Sequence, residues 1–301
     1  SAGVDNLISA VPALGEERVA IAIGVVVVLA ALNLRGIRES GRAFAIPTYL
    51  FVIGIVSMIV WGLGRTFVGD APVAESAEYD VVAEMTDLGG IALVLLVLRA
   101  FASGCTALTG VEAIANGVPA FKIPKSRNAA TTLAWMGGLS IVMFSGITAL
   151  ALISDVRYTE EPCDLVGFDC EADPQRTVIA QVAAATFGDG SIPFFYIQAA
   201  AALILVLAAN TAFNGFPLLG SVLAQHSYAP RQLHTRGDRL VFSNGIVLLS
   251  VFAGVLIFSF DASVSRLIQL YIVGVFTAFT LGQTGMVRHW NVVLRGSLRP
   301  E

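Results

Sequence analysis

Apolar residues run through this chain in seven long stretches that are separated by shorter polar segments. A stretch of about 17 to 25 mostly apolar residues is long enough to cross a bilayer as a helix. The seven stretches cover residues 18–34, 44–63, 89–124, 129–153, 192–224, 241–260 and 264–287. The pattern predicts an all-α polytopic membrane protein with about seven transmembrane helices.

The third stretch differs from the others because small, polar and glycine residues interrupt it. It begins as an apolar helix pattern, passes through SGCTALTG at 103–110, and resumes as VEAIAN. A continuous membrane helix gains nothing from such a segment, whereas an opened helix offers backbone groups to a solute. We therefore predict the discontinuous helix of a secondary transporter. The residues predicted to line the opening are Ser103, Gly104, Cys105, Thr106, Thr109, Gly110 and Glu112.

Composition agrees with a membrane protein. The 301 residues are 56% hydrophobic and only 13% charged, with a mean hydropathy of +0.77. A soluble domain usually carries about 25% charged residues. A soluble helical bundle is therefore excluded, because the apolar stretches are too long and too poor in charge.

The charges in the connecting segments alternate in sign along the chain. Twelve of the 18 Lys and Arg residues lie in segments 35–42, 122–127, 231–239 and from 288 onwards. Eighteen of the 22 Asp and Glu residues lie in segments 1–18, 64–87, 154–191 and 261–266. Basic loops stay in the cytoplasm. The alternation predicts a plasma-membrane protein in which the N-terminus of this chain is outside and the C-terminus is cytoplasmic.

The cysteines and the chain ends give smaller indications. Cys163 and Cys170 lie in the long acidic segment, where a disulfide in an oxidising compartment and two free thiols are equal alternatives. Cys105 is more typical of a small packing residue than of a redox centre. The sequence opens without Met or a signal-peptide pattern, so we expect it to be a piece of a longer protein.

Glu112 is the only acidic residue placed well inside a predicted span. An ionisable group at that depth normally faces a cavity, an ion or a partner, and it suits proton exchange or cation coordination. The alternative is that Glu112 lies near the cytoplasmic end and pairs with Lys122. Thr109 is three residues earlier, on the same face of a resumed helix. Gly104 and Gly110 allow torsions that other residues resist, with close helix packing as the alternative.

Four further polar residues lie within or beside the predicted spans. Asn210 and Thr211 form a second polar interruption before Pro217, for which kinked packing is an equal alternative. Tyr271 either points its hydroxyl into a pathway or occupies an aromatic belt. Arg99 either pairs with a carboxylate or is structural.

No other chemistry is indicated by the sequence. It contains neither a phosphate-binding loop followed by Lys-Ser or Lys-Thr nor a cysteine or histidine cluster with metal spacing. The basic segments hold three charges each, which orientation alone explains. We expect no cofactor, no enzymatic activity and no nucleic-acid partner.

Four segments resemble the amino acid–polyamine–organocation permeases, and together the similarity covers nearly the whole chain. The most specific is SGCTALTGVEAIANGVPAFKIPKSRNAATTL, which looks like helix six of that family and the loop after it. LNLRGIRESGR resembles the loop between helices four and five. FPLLGSVLAQHSYAPRQLHTRGDRLVFSNGI resembles the region of helices eight and nine, and LIQLYIVGVFTAFTLGQTGMVRHW resembles helix ten.

This resemblance implies a fold of two inverted five-helix repeats, of which the chain would hold helices four to ten. Residues 1–87 would end the first repeat and residues 88–287 would form the second. The helix-six pattern is closest to a branch that includes Kim-type, KUP-like potassium–proton symporters. In that branch a Thr and a Glu three apart on helix six and a Tyr on helix ten line cation sites. Thr109, Glu112 and Tyr271 match those motif positions, which makes them the expected K⁺ ligands.

The expected function is a secondary active transporter that imports potassium or an amino acid, coupled to protons and working by alternating access. Two alternatives stay open, an amino acid permease with no potassium role and an uncoupled ion channel. The sequence lacks a TVGYG-like filter, which disfavours the channel. The second span has no lysine where some proton-coupled relatives carry one, which makes Glu112 the stronger candidate for a role in coupling. Expected partners are membrane lipid, the transported solute and a second copy of the chain as a homodimer.

Overall fold

The computed structural model describes residues 1–36, 41–82, 89–104, 118, 121–170, 174–233 and 242–297. Within these residues the fold is helical, with nine α-helices and one small sheet. The helices are α1 (Ala2–Ala10), α2 (Arg18–Leu34), α3 (Gly41–Val68), α4 (Ile91–Gly104), α5 (Lys125–Ile153), α6 (Val178–Phe187), α7 (Ile192–Gln225), α8 (Ser243–Ser259) and α9 (Val264–Ser297).

Six of the seven predicted spans each correspond to one helix, namely α2, α3, α5, α7, α8 and α9. Helix α4 covers only the first part of the third span, and most of the rest of that span lies outside the described residues. Four of these helices, α3, α5, α7 and α9, are long and apolar enough by length and composition to cross a membrane. Helices α2 and α8 have 17 residues each, and α4 has 14. Long apolar segments form helices because a backbone in lipid must satisfy its hydrogen bonds within the segment.

Helices α1 and α6 are additions that the sequence analysis assigned to polar loops. They have 9 and 10 residues, too few to cross a bilayer, so an apolar stretch of membrane-spanning length does not mark them. Thr177 begins α6 by accepting a hydrogen bond from the Ala180 N–H at 3.2 Å. Gly188 ends it at φ +90°, a torsion that glycine adopts without strain.

A short antiparallel sheet joins the acidic segment after α3 to the acidic segment after α5. Strand β1 (Asp80–Val81) pairs with β2 (Leu165–Val166), and Asp80 lies opposite Val166. Cys163 and Cys170 are disulfide-bonded beside β2, which decides between the two alternatives that the sequence left open. The sheet holds the segment after α3 against the segment after α5, and the disulfide closes a loop within the latter.

The chain divides into two compact units, Ser1–Glu84 with Thr131–Ser263, and Met85–Ala130 with Val264–Glu301. In the first unit α7 packs against α1, α2, α3, α6 and α8. Its main apolar core comes from α3, α5, α6 and α7, with Ile55, Met58, Leu150, Phe194 and Ile197 fully buried. In the second unit α4 packs against α9. The division into two inverted repeats at residue 87 stays a prediction.

Candidate functional site

The predicted opening in the third span begins at the end of α4. Ser103 and Gly104 are the last two residues of this helix, and both are exposed. Among the described residues, a Cβ added at Gly104 would meet no atom within 4 Å. The remaining predicted residues of the opening, Cys105, Thr106, Thr109, Gly110 and Glu112, lie outside the described residues. The structure therefore places the start of the predicted site.

Tyr271 belongs to the same unit as Ser103 and Gly104. It lies two turns into α9 with 39% of its surface exposed, and α9 is the helix against which α4 packs. Arg99 lies on α4 itself, and it is exposed. Ser103, Gly104 and Tyr271 are thus carried by two helices that contact each other, α4 and α9.

Asn210 and Thr211 belong to the other unit and have defined hydrogen bonds. Both lie within α7, which continues as one helix from Ile192 to Gln225, through Pro217. The Asn33 amide on α2 donates to Asn210 Oδ1 at 2.6 Å. The Thr211 hydroxyl donates to the Ala208 carbonyl of its own helix at 2.6 Å. Because the bonds of both side chains are made within the bundle, the geometry favours the packing interpretation for this pair.

Asn33 is the partner of Asn210, and the sequence analysis missed it. Its amide donates also to the Leu29 carbonyl at 2.8 Å, so one side chain bonds within α2 and across to α7. Asn210 is 8% exposed and lies among apolar residues, Leu29, Ala30, Phe213 and Ile246. A polar bridge in such surroundings fixes how two membrane helices meet. The signal was available, since Asn33 is a lone amide near the end of an apolar stretch.

Gln198 is a second polar residue that the sequence analysis missed. It lies in the N-terminal half of α7, only 1% exposed. Among the described residues neither its Oε1 nor its Nε2 has a hydrogen-bond partner. Buried amides in proteins are normally paired, and so Gln198 marks a place where α7 departs from simple apolar packing.

Two ion pairs of the first unit lie beside the ends of its helices. Arg65 at the end of α3 pairs with Asp70 at 2.7 Å and donates to the carbonyls of Ala185 and Thr186 at 3.0 and 2.9 Å. These bonds satisfy carbonyls at the end of α6, which have no partner within the helix. Asp5 on α1 pairs with Arg18 at 2.7 Å. Burial raises the pKa of the Asp5 carboxyl, and the attraction of Arg18 opposes that shift.

No group of three or more His, Cys, Asp or Glu side chains that could hold a metal ion occurs in the parts of the chain that the structure describes.

Comparison with known proteins gives two results. The amino acid permease family matches residues 1–293. The potassium transporter KimA of Bacillus subtilis (strain 168) is 47% identical over 294 residues, which is 96% of this chain and 44% of the relative. The chain thus spans about 44% of the length of that relative.

The family match confirms the resemblance drawn from the helix-six segment, although about half of that segment lies outside the described residues. It also confirms an all-α, multi-pass membrane fold. The chain belongs to the amino acid permease family.

Proposed function

We propose that this chain is part of a secondary active transporter that imports potassium together with protons by alternating access. The observation that carries the proposal is the 47% identity to a protein named as a potassium transporter. It extends over 96% of the chain, so it includes the segment that the sequence predicts to open. Membership in a permease family supports a carrier over an uncoupled channel.

The cation site is proposed at Thr109, Glu112 and Tyr271. Thr109 and Glu112 supply a hydroxyl and a carboxylate from one face of the resumed helix, and Tyr271 supplies a hydroxyl from α9. The opened backbone from Ser103 to Gly110 supplies carbonyl oxygens. Glu112 either binds the cation or carries the coupled proton, because a carboxyl in a membrane changes its pKa with its neighbours.

The orientation belongs to the same proposal. Basic segments at 35–42, 122–127 and 231–239 are placed in the cytoplasm, and the acidic segments outside. The Cys163–Cys170 disulfide supports this, since disulfides persist in oxidising compartments and this one lies in an acidic segment. The N-terminus of the chain is then outside, and its C-terminus cytoplasmic. A homodimer is a further prediction, which cross-linking of the whole transporter in membranes would test.

Uptake of rubidium, a tracer for potassium, by vesicles that contain the complete transporter tests the proposal. Acidifying the outside should increase uptake, and Glu112→Gln should remove this pH response and lower uptake at least about tenfold. The control is Glu16→Gln, an exposed carboxylate outside the predicted spans, which should behave as the wild type. Normal proton-coupled uptake by Glu112→Gln would refute the role of Glu112.

The second candidate is an amino acid permease without a potassium role, which the description of the matched family favours. The same vesicles separate the two candidates. Amino acids in excess should leave rubidium uptake unchanged if potassium is the substrate. Uptake of labelled amino acids without rubidium uptake would establish the second candidate.

A further inference from the structure

A cavity of about 220 Å³ lies in the first unit, between the acidic segment after α3 and the acidic segment after α5. None of the described residues assigned to transport lines it. It is smaller than most ligand pockets, which hold about 300 Å³ or more, so a nucleotide does not fit and a single small ring does. Six of its lining residues carry the argument, namely Glu75, Tyr79, Arg157, Leu165, Phe168 and Arg176.

The apolar wall of this cavity is held in place by covalent and backbone bonds. Leu165 and Phe168 lie within the loop that the Cys163–Cys170 disulfide closes. Leu165 also pairs with Val81 in the small sheet. The Tyr79 ring meets the Phe168 ring edge to face, with centroids 5.7 Å apart. The wall is therefore preorganised, which favours binding because little freedom is lost when a ligand enters.

Most polar groups around the cavity are already paired with one another. The Ser76 hydroxyl donates to Gln181 Oε1 at 2.5 Å and accepts from the Arg157 backbone N–H at 2.8 Å. Arg176 pairs with Glu75 and Asp189, both at 3.0 Å. These groups build the site and have little capacity left for a ligand.

Arg157 and Tyr79 are different, because they keep hydrogen-bonding capacity. Arg157 pairs with Asp155 through Nη2 at 3.0 Å. Among the described residues its Nε is buried without a partner, and its Nη1 makes no hydrogen bond. In the same part of the chain the Tyr79 hydroxyl has no hydrogen-bond partner. A planar guanidinium with N–H groups to spare is the side chain best suited to bind a carboxylate.

We propose that this cavity binds a small organic carboxylate. The carboxylate accepts hydrogen bonds from Arg157 and from the Tyr79 hydroxyl, and the apolar body packs on Phe168 and Leu165. Inorganic phosphate shares the anionic chemistry but leaves the apolar wall without contact. The site goes beyond the proposed transport, because binding here requires neither uptake nor Glu112.

The test measures binding of 4-fluorobenzoate to the full-length protein in nanodiscs by fluorine NMR. The neutral analogue of the same shape, 4-fluorobenzamide, should bind at least about tenfold more weakly. Inorganic phosphate should not compete at equal concentration. Equal binding of benzoate and benzamide would overturn the proposal, and so would full displacement by phosphate.

Three variants separate recognition by Arg157 from damage to the fold. Arg157→Gln should weaken benzoate binding about tenfold or more, and Tyr79→Phe about threefold. Asp155→Asn should strengthen binding a few-fold, because it leaves the guanidinium charge without its internal partner. Asn is tolerated at residue 155, where φ is +53°, because Asn and Asp adopt positive φ more readily than most residues do.

Arg157→Gln and Asp155→Asn are expected to change benzoate binding in opposite directions, and this difference makes the experiment decisive. If Arg157 only supported the loop, removing either member of its ion pair would weaken binding alike, and that result would overturn the proposal. Arg231→Gln is the matched control, an exposed arginine that does not line the cavity. A loss of binding in this control equal to that in Arg157→Gln would show non-specific attraction and would also overturn it.

Discussion

Helices α7 and α9 are both 34 residues long, yet they differ in how they are packed. Of the 18 most apolar consecutive residues, 33% are buried in α7 and 0% in α9. Helix α7 is surrounded by five other helices of its unit, whereas α9 packs against α4. Hydropathy therefore identifies a helix that can cross a membrane but does not show what covers it.

Two glycines that face α7 from neighbouring helices are tightly packed, whereas glycines on α9 are not. A Cβ added at Gly245 on α8 would lie 2.9 Å from Pro217 Cβ on α7, and one at Gly54 would lie 2.9 Å from Tyr196. A Cβ added at Gly274 or Gly282 on α9 would meet nothing within 4 Å. Small residues let helices approach closely, but only where a partner is present.

The largest expected effect tests this difference directly. Gly245→Ala should lower the free energy of unfolding by up to about 3 kcal/mol, because the methyl group meets backbone at Pro217 Cα, 3.0 Å away. Gly274→Ala should cause no loss and a gain of up to about 1 kcal/mol from helix propensity. Titration with SDS in mixed micelles measures both. Equal losses would show that the packing contrast is wrong.

The second prediction concerns the disulfide that closes a loop between Cys163 and Cys170 in the first unit. Replacing Cys163 and Cys170 by Ser should lower stability by about 2 kcal/mol, the value for closing a loop of this length. Thermal unfolding in detergent, with and without reductant, measures the effect. Reductant should destabilise the wild type and leave the double variant unchanged. The prediction is wrong if reductant makes the wild-type thiols available to labelling but leaves the thermal unfolding of the wild type unchanged.

The third prediction concerns the Asn33–Asn210 bridge. Asn210→Ala should cost about 1 kcal/mol, because it removes a hydrogen bond between α2 and α7 and leaves Asn33 partly unpaired. Replacing both residues by Leu should cost less than the single change. Gln283→Ala, an exposed amide on α9, is the control and should have little effect. Equal losses of stability from Asn210→Ala and Gln283→Ala would show that the Asn33–Asn210 hydrogen bond does not distinguish α7 from α9.

The smallest expected effect is a pH dependence at Asp5. Burial raises the pKa of this carboxyl above its ordinary value of 3.8, although Arg18 opposes the shift. The folded state then holds the proton more tightly, so this contribution to stability is fully present below pH 3.8 and is lost as the pH rises through the raised pKa. Asp5→Asn should remove that slope from unfolding curves measured at increasing pH. Glu16→Gln, at an exposed carboxylate, should keep it.

The fold was largely predictable because lipid restricts what a chain can do. Each apolar stretch had to form a helix, and the predicted bounds of α2 at 18–34 are those observed. The short helices α1 and α6 and the two-residue strands were not predicted. They lie in polar segments, where no single period of hydrophobicity dominates and tertiary contacts decide the conformation.

The candidate site was predictable in part. A carboxylate within an apolar stretch identified Glu112, and this stays a prediction because the residue lies outside the described part of the chain. Asn210 also stood out as polar, but its partner Asn33 is 177 positions away. Residue types alone cannot show whether an amide binds a solute or another helix.

By itself, the sequence determined that this is a multi-pass membrane protein, where most of its apolar helices lie and which family it belongs to. Those properties depend on local hydrophobicity and on motifs of neighbouring residues. Only the tertiary structure decided that α7 is the covered helix, that Asn210 bonds to Asn33, and that Arg157, Tyr79 and Phe168 surround one cavity. These depend on contacts between residues far apart in the chain, which form only when the helices and their connecting segments pack together.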